Sequence, residues 1–254
     1  MLKEQIIHDL TLHSGQPVSG QELADRYHVS RNAVWKAIQS LKENNIPIIT
    51  VGRKGYALPA ELDLITEAGI RDHLSPASAS FPVLVFEEID STNAEARRRI
   101  ANGDTVPALL VTGRQTSGRG HRGTSFDSPD NGLYLTLILH TELPAGQLLT
   151  VSKAAAAAAC SSILDNCSVT LSIENVNDLH YNGTKIGGIL TEAIVDDIES
   201  GNCGHCFTGI GLHLDVLNRL CNRSKIAADI ANYLLSAPYR APEKILSDYT
   251  RFHT

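Results

Sequence analysis

The sequence predicts an α+β protein in two parts, a small helical module with a β-hairpin and a larger mixed β-sheet domain with flanking helices. Three observations carry this. Residues 1–45 hold apolar positions at helical spacing, with serines placed to cap. Residues 46–58 hold two short β-rich runs around Gly52-Arg-Lys-Gly55, and beyond residue 81 such runs alternate with helical ones. The charge also divides: residues 1–60 hold seven Lys/Arg against five Asp/Glu, and the remainder 15 against 23. A mildly basic module joined to an acidic body suggests two jobs.

In the first module, Leu2, Ile6, Ile7 and Leu10 place a helix over 2–12. Ser19 with Glu22 is a capping box, opening a short helix through Tyr27. His28-Val29 turns, and Ser30 caps a third helix that buries Val34, Ile38 and Leu41. Short helix, turn, longer helix is the helix-turn-helix pattern. Strands at 46–51 and 56–58 around a cationic turn make a wing, so residues 1–60 read as a winged helix. Ser30, Arg31, Asn32, Lys36 and Gln39 lie on the exposed side of the third helix, with Trp35 near it. Such residues read base edges or hold phosphates, and Arg53 and Lys54 at the wing tip suit backbone phosphate. Trp35 packing on the wing, and a protein-binding role for the module, stay open. One copy carries a net charge of only +2, so operator DNA would call for a homodimer and two half-sites.

Residues 61–80 read as a linker with a short helix at about 64–74, and 81–254 as the second domain. There, Val83–Ile89 is a strand, Asp90-Ser-Thr-Asn93 a helix-capping turn, Ala94–Ala101 a helix, and Ala108–Thr112 and Gly132–Leu139 strands. Residues 147–166 form an Ala-rich helix of structural role, and Val169–Ile173 a strand. Asn177–Glu192 is a hairpin turning at Asn182-Gly183. Phe207–Asp215 is a further strand, and 224–237 and 242–252 are closing helices.

Between two of these strands lies Gly113–Pro129. Gly118, Gly120 and Gly123 alternate there with Arg119, His121 and Arg122. Glycines bring backbone N–H groups close to a ligand, and arginines supply forks for phosphate or carboxylate. The loop reads as an anion cradle, but it is neither a Walker loop nor a dinucleotide fingerprint. A hydrophobic fraction of 43% and a charged fraction of 20% are ordinary for a globular protein. No apolar run is long enough to span a membrane, and the first residues lack a signal-peptide core. Five scattered cysteines suggest free thiols and a cytoplasmic setting. Cys203-Gly-His-Cys206 has no second pair, so no metal site is expected there.

The glycine-arginine loop resembles the G-R-G-R-R-G…S-P loop of biotin protein ligases. Asp90-Ser-Thr-Asn93 and the run Asn177-Asp-Leu-His-Tyr-Asn-Gly-Thr-Lys-Ile-Gly-Gly-Ile-Leu-Thr-Glu192 resemble two more elements of that family, in the same order. With the winged helix ahead, the chain resembles the bifunctional type, ligase and biotin-operon repressor. The resemblance implies a biotin/lipoate-ligase-like sheet domain. It implies biotin and ATP with Mg2+, and transfer of biotin through biotinyl-5′-adenylate to a lysine of a carboxylase's biotin carboxyl carrier domain. Lys185 and Arg119 would be the catalytic cations. Ser91, Thr92, Asn93, Gln115, Gly120 and His121, with Arg119 and Lys185, would hold biotin. Gly118, Arg122, Gly123, Phe126, Asn177 and Asp178 would hold the nucleotide.

The chain also departs from the family pattern. His121 and Thr124 stand where arginines are usual, Phe126 where the family has Trp, His213 for Asn, and Glu174-Asn-Val for Lys-Trp-Pro. Thr254 falls about where the family's small C-terminal β-barrel would begin. Each change except the His213 one bears on ATP handling, and the biotin residues are intact. A biotin- or adenylate-sensing DNA-binding regulator of weak or no activity is therefore the alternative reading, and a lipoate ligase or related acyl ligase is disfavoured.

Overall fold

The computed structural model describes residues 2–44, 46–60, 62–104, 106–140, 147–197, 202–217, 221–236 and 242–254. The chain forms two compact units, Met1–Asp72 and His73–Thr254.

In the first unit, α1 (Leu2–Leu12), α2 (Gly20–Arg26) and α3 (Arg31–Glu43) enclose a core in which Ile6, Leu10, Leu23, Val34 and Ile38 are fully buried. Both serine caps form. Ser19 Oγ accepts the Glu22 N–H and Ser30 Oγ the Ala33 N–H, each at 3.1 Å. His28 takes a left-handed conformation between α2 and α3. Asp9 is buried and accepts from Arg26 Nη1 at 2.6 Å and from the Tyr27 hydroxyl at 2.7 Å, which ties α1 to α2. Burial, then this bond to Asp9, raises the Tyr27 pKa.

The wing is shorter than the sequence suggests. β1 is Ile49–Val51 and β2 is Gly55–Ala57, paired antiparallel, with Val18 bridged to Tyr56. Residues 46–48 stay out of the ladder: the Ile46 N–H donates back to Leu41 O at 3.1 Å, Pro47 has no N–H, and the Ile48 N–H donates to Ile46 O at 2.7 Å. α4 is Glu67–Arg71, shorter than the 64–74 helix expected, and is capped by Thr66. Leu62 and Leu64, expected in a linker, pack on the core of the first unit; residue 61 lies outside the described residues.

In the second unit, a seven-stranded sheet runs β3 (Val83–Phe86), β4 (Ala108–Thr112), β5 (Leu133–His140), β9 (Asn202–Leu212), β8 (Thr184–Asp197), β7 (Asp178–Tyr181), β6 (Ser172–Glu174). Among the described strands only β3 and β4 pair in parallel. α5 (Thr92–Ala101) lays Ala96 and Ile100 on Leu110, Ile138 and Phe207. It begins at Thr92, not Ala94, because Ser91 is its cap. β3 stops at Phe86 rather than 89, and β6 is confined to the three residues that find partners in β7. β8 and β9 pair well past the predicted limits, through Ala193 opposite Cys206 and Ile194 opposite His205.

α6 (Leu148–Cys167) is long and apolar enough to cross a bilayer by length and composition. This corrects the expectation that no run is. Its Ala154–Ala159 stretch is buried, and the helix packs on β8, α7 (Arg223–Leu235) and α8 (Pro242–Thr250). Residue 237, expected to end α7, lies outside the described residues. The last residues follow β6, where Ile173 N–H donates to Phe252 O at 2.8 Å.

The free-thiol expectation holds for three cysteines and fails for two. Cys167 and Cys221 form a disulfide, their Cα atoms 5.6 Å apart, because the end of α6 meets the residue before the α7 cap. Cys160, Cys203 and Cys206 are free and buried, and burial pushes the Cys160 and Cys206 thiols up to about 12. Among the described residues no three His, Cys, Asp or Glu side chains gather to hold a metal.

Gly55 is the tightest point of the wing. Its φ is 124°, and an added Cβ would overlap the Val18 carbonyl. Gly55→Ala is expected to destabilise the first unit by about 2 kcal/mol or more, measured by denaturant unfolding. An unchanged midpoint would refute that close approach.

Candidate functional site

A cavity of about 720 Å³ opens in the second unit. Its wall is drawn from the start of α5, the glycine-arginine loop, Tyr134 on β5, the start of α6, the β6–β7 turn, β8 and β9. Of the predicted site residues, Ser91, Thr92, Asn93, Gln115, Arg119, Gly120, His121, Arg122, Phe126, Asn177, Asp178 and Lys185 all line it. Gly118 and Gly123 do not. They face a second hollow, formed by the loop itself.

The turn before α5 is held from two sides. Asp90 accepts from Arg98 Nη1 and Nη2, at 2.6 and 2.8 Å, and from the Ser91 N–H at 2.7 Å. The Arg98 hydrogen bond keeps the Asp90 carboxyl down at about 2. On the backbone, Asp90 O accepts the Ser117 N–H and Ile89 O the Thr116 N–H, each at 2.9 Å. The cap turn and the root of the loop are thereby one assembly. Gln115 joins them again. Its Oε1 accepts the Thr92 N–H at 2.8 Å, and its Nε2 donates to Ser128 Oγ at 3.0 Å.

Beneath this turn lies a buried polar cluster. Thr136 Oγ1 on β5 is 2.8 Å from Thr92 Oγ1 and 2.6 Å from Asn93 Oδ1. Asn93 Nδ2 donates to Leu190 O at 3.2 Å and to Glu192 Oε2 at 3.0 Å, and Glu192 is also paired with Arg97. Gly209 makes room for Asn93, since a Cβ there would overlap its Oδ1.

The loop closes on itself as a small hairpin. Gly120 N–H donates to Thr124 O at 2.8 Å and Phe126 N–H to Gly118 O at 2.9 Å, around a 3-10 turn at His121–Gly123. Arg122 sits there at φ 56°. Arg119, His121 and Arg122 are exposed, and Arg119 has no ion pair among the described residues. The Phe126 ring lies over Gly211, where a Cβ would come within 2.5 Å of it. It is edge-on to Tyr134 at 6.4 Å and tilted against His213 at 5.3 Å. His213 Nε2 is 2.8 Å from Asp127 O, bracing the segment after Phe126.

Across the cavity, Lys185 Nζ donates to Asp178 Oδ1 at 2.6 Å. Asn177 Nδ2 donates to Ile189 O at 3.1 Å. In the turn between β6 and β7, Asn175 and Val176 take φ of 47° and 74°. Positive φ is costly for a β-branched residue, and strain of this kind gathers at functional sites. A proline, which the family pattern places at 176, could not hold that φ.

Sequence reasoning missed Thr136, Glu192, Tyr134, Ser152, Leu148 and Leu149. Glu192 stood at the end of a recognised run, but nothing local gave it a partner. Leu148, Leu149 and Ser152 belong to a helix read as purely structural, yet its first turn walls the cavity. In the first unit, Ser30, Arg31, Asn32, Lys36, Arg53 and Lys54 are all exposed, and so is Trp35, at 51%. Trp35 therefore does not pack into that core.

The arrangement defines a class: a helix-turn-helix unit joined to a mixed-sheet unit with a polar cavity under a glycine-arginine loop. Residues 3–57 match the HTH domain family, and residues 85–210 match the Biotin/lipoate A/B protein ligase family. The chain thus carries a match to that ligase family over just under half of its length, with the helix-turn-helix match ahead of it. It is 28% identical over 215 residues to the bifunctional ligase/repressor BirA of Bacillus subtilis, covering 84% of this chain and 65% of that protein. Against the Escherichia coli bifunctional ligase/repressor BirA the identity is also 28%, over 80% of this chain and 61% of the relative. The chain thus spans just under two thirds of the length of these curated relatives. In fold it is similar to the biotin protein ligase of Leishmania major in complex with biotinyl-5-AMP, with TM-score 0.55 and 20% identity over 68% of this chain and 81% of that one. The biotin protein ligase of Aquifex aeolicus in complex with biotin and ATP gives TM-score 0.52 and 18% identity, over 66% and 76%.

The Asp90–Arg98 pair carries a pH signature. Asp90 titrates near 3.8 when unfolded and about 2 when folded. Its contribution is therefore complete above pH about 4 and is lost as pH falls through 2. The pair is partly exposed, so the effect is modest. Asp90→Asn is expected to lower the thermal unfolding midpoint at pH 6 and to unfold with the wild type at pH 2. A gap that persists at pH 2 would show that charge is not what holds the turn.

Proposed function

We propose that the second unit activates biotin with ATP to biotinyl-5′-adenylate and passes biotin to a lysine of a carboxylase's biotin carboxyl carrier domain. The first unit would bind operator DNA, making the protein a biotin-responsive repressor, dimeric on DNA, cytoplasmic and independent of membranes. One observation carries the reading: motifs almost a hundred residues apart, Ser91-Thr92, Gln115-Arg119 and Lys185, converge on one cavity.

In the first step a carboxylate oxygen of biotin attacks the α-phosphorus of ATP, the new O–P bond forms, and pyrophosphate leaves. Both reactants are anions, so the site must supply positive charge where they meet. Arg119, unpaired among the described residues, and Lys185 are the cavity cations suited to this. Asp178 holds Lys185 at 2.6 Å and keeps its ammonium directed. Phe126 over Gly211 offers a flat apolar surface for the adenine, and the exposed side chains of Arg119, His121 and Arg122 on the loop serve incoming phosphates as donors. Among the described lining residues Asp178 is the one carboxylate. A hard oxygen donor of this kind suits magnesium, which takes one or two carboxylates together with substrate phosphates. Magnesium there would neutralise the polyphosphate. In the second step the carrier lysine attacks the mixed anhydride carbonyl and AMP leaves.

Biotin-dependent ATP–pyrophosphate exchange tests the reading. Wild type should exchange, and Lys185→Ala and Arg119→Ala should each lose about a hundredfold in exchange rate at saturating biotin. Biotin binding without exchange in the wild type would instead support the sensing regulator. For the first unit, Arg53→Ala with Lys54→Ala should weaken DNA binding uniformly across sequences. The pair should also reduce the slope of log K against log salt by about 2. An unaltered slope would remove the wing from the DNA interface.

A further inference from the structure

We propose that Thr136, backed by Asn93 and Glu192, is a specificity-determining residue. It makes Thr92 present a lone pair, not a proton, to the cavity, so the site demands an N–H from its ligand at that point. This rests on the biotin reading above and adds the direction of one hydrogen bond to it.

The argument is a count of protons. Asn93 Nδ2 lies against Leu190 O and Glu192 Oε2, and both can only accept. The amide orientation is therefore settled, and Asn93 Oδ1 must be the atom 2.6 Å from Thr136 Oγ1. An amide oxygen cannot donate, so the single Thr136 hydroxyl proton goes to it. Thr136 Oγ1 is also 2.8 Å from Thr92 Oγ1. Two hydroxyl oxygens at that distance need a proton between them, and Thr136 has none left. The Thr92 proton fills that place. Gln115 Oε1, 3.2 Å from Thr92 Oγ1, does not need it, because the Thr92 N–H already donates there at 2.8 Å.

The chain of bonds thus runs one way, from the Thr92 hydroxyl to Thr136 to Asn93 to Glu192. Thr92, Asn93 and Thr136 are buried, so water does not offer an alternative partner at low cost. What Thr92 turns to the cavity is acceptor capacity alone. A cyclic urea N–H satisfies it, whereas a ring oxygen at the same place sets two lone pairs against each other. Leaving a buried polar atom unmatched costs more than the bond itself yields, which is how such sites discriminate.

The test compares biotin with two analogues, each having one ureido N–H replaced by ring oxygen, by calorimetry on the full chain. Wild type should bind one of the two at least about tenfold more weakly than biotin. Thr136→Val frees the Thr92 proton to turn, so its preference should shrink to within about twofold, while Thr136→Ser should keep it. Thr92→Val retains the N–H to Gln115 and removes the lone pair, and it should lose the same preference even if Thr136→Val does not fold. Undiminished discrimination in either valine variant would overturn the inference. So would a wild type that binds biotin and both analogues alike. A wild type that binds neither biotin nor the analogues would overturn the biotin reading, and this one with it.

Discussion

The second unit depends on where Asn93 is allowed to sit. Its amide lies over Gly209, against Thr136 on one side and Glu192 on the other. Any side chain at Gly209 would force the Asn93 amide out of that place and away from Thr136 and Glu192. Asn93 follows directly on the cap turn, to which the root of the glycine-arginine loop is bonded through the backbone of Asp90 and Ile89. A buried cluster of this kind specifies one arrangement because each member is expensive to leave unmatched. Hydrophobic packing of Ala96 and Ile100 holds α5 to the sheet. The polar cluster decides its register.

The same logic explains why the cavity can be both polar and rigid. Ser91, Thr92 and Gln115 line the cavity, and each also completes a cap or a bridge. Ser91 caps α5, Thr92 and Gln115 are joined by the Thr92 N–H, and Gln115 leans on Ser128. Lys185 is steadied by Asp178 on the neighbouring strand. Arg119 differs, being exposed on the loop hairpin and free of ion pairs among the described residues. Of the cavity's two central cations, one is thus held by a carboxylate and the other is left without an ion pair among the described residues.

Much of this was legible in the residues. The serine caps at 19 and 30, the capping turn at 90–93 and the Asn182-Gly183 turn act through local backbone chemistry, and each does its expected local job. Element limits were less legible where pairing partners decide them, as in the short β6 and the long β8 and β9. The cysteines show the same boundary. Cys167 and Cys221 are 54 positions apart, and only the approach of the α6 end to the α7 cap makes them neighbours.

By itself the sequence determined the two-part plan, the order of elements, and the motifs that meet at the cavity, because caps, turns and periodicity are short-range and leave a local trace. Only the tertiary structure decided that α6 walls the cavity with its first turn, that Phe126 rests on Gly211, and that Thr136 and Glu192 stand behind Thr92. These depend on which strands lie side by side. Strand order in the sheet, β5 next to β9 next to β8, brings Thr136, Gly209 and Leu190 into one row. No spacing along the chain encodes that row.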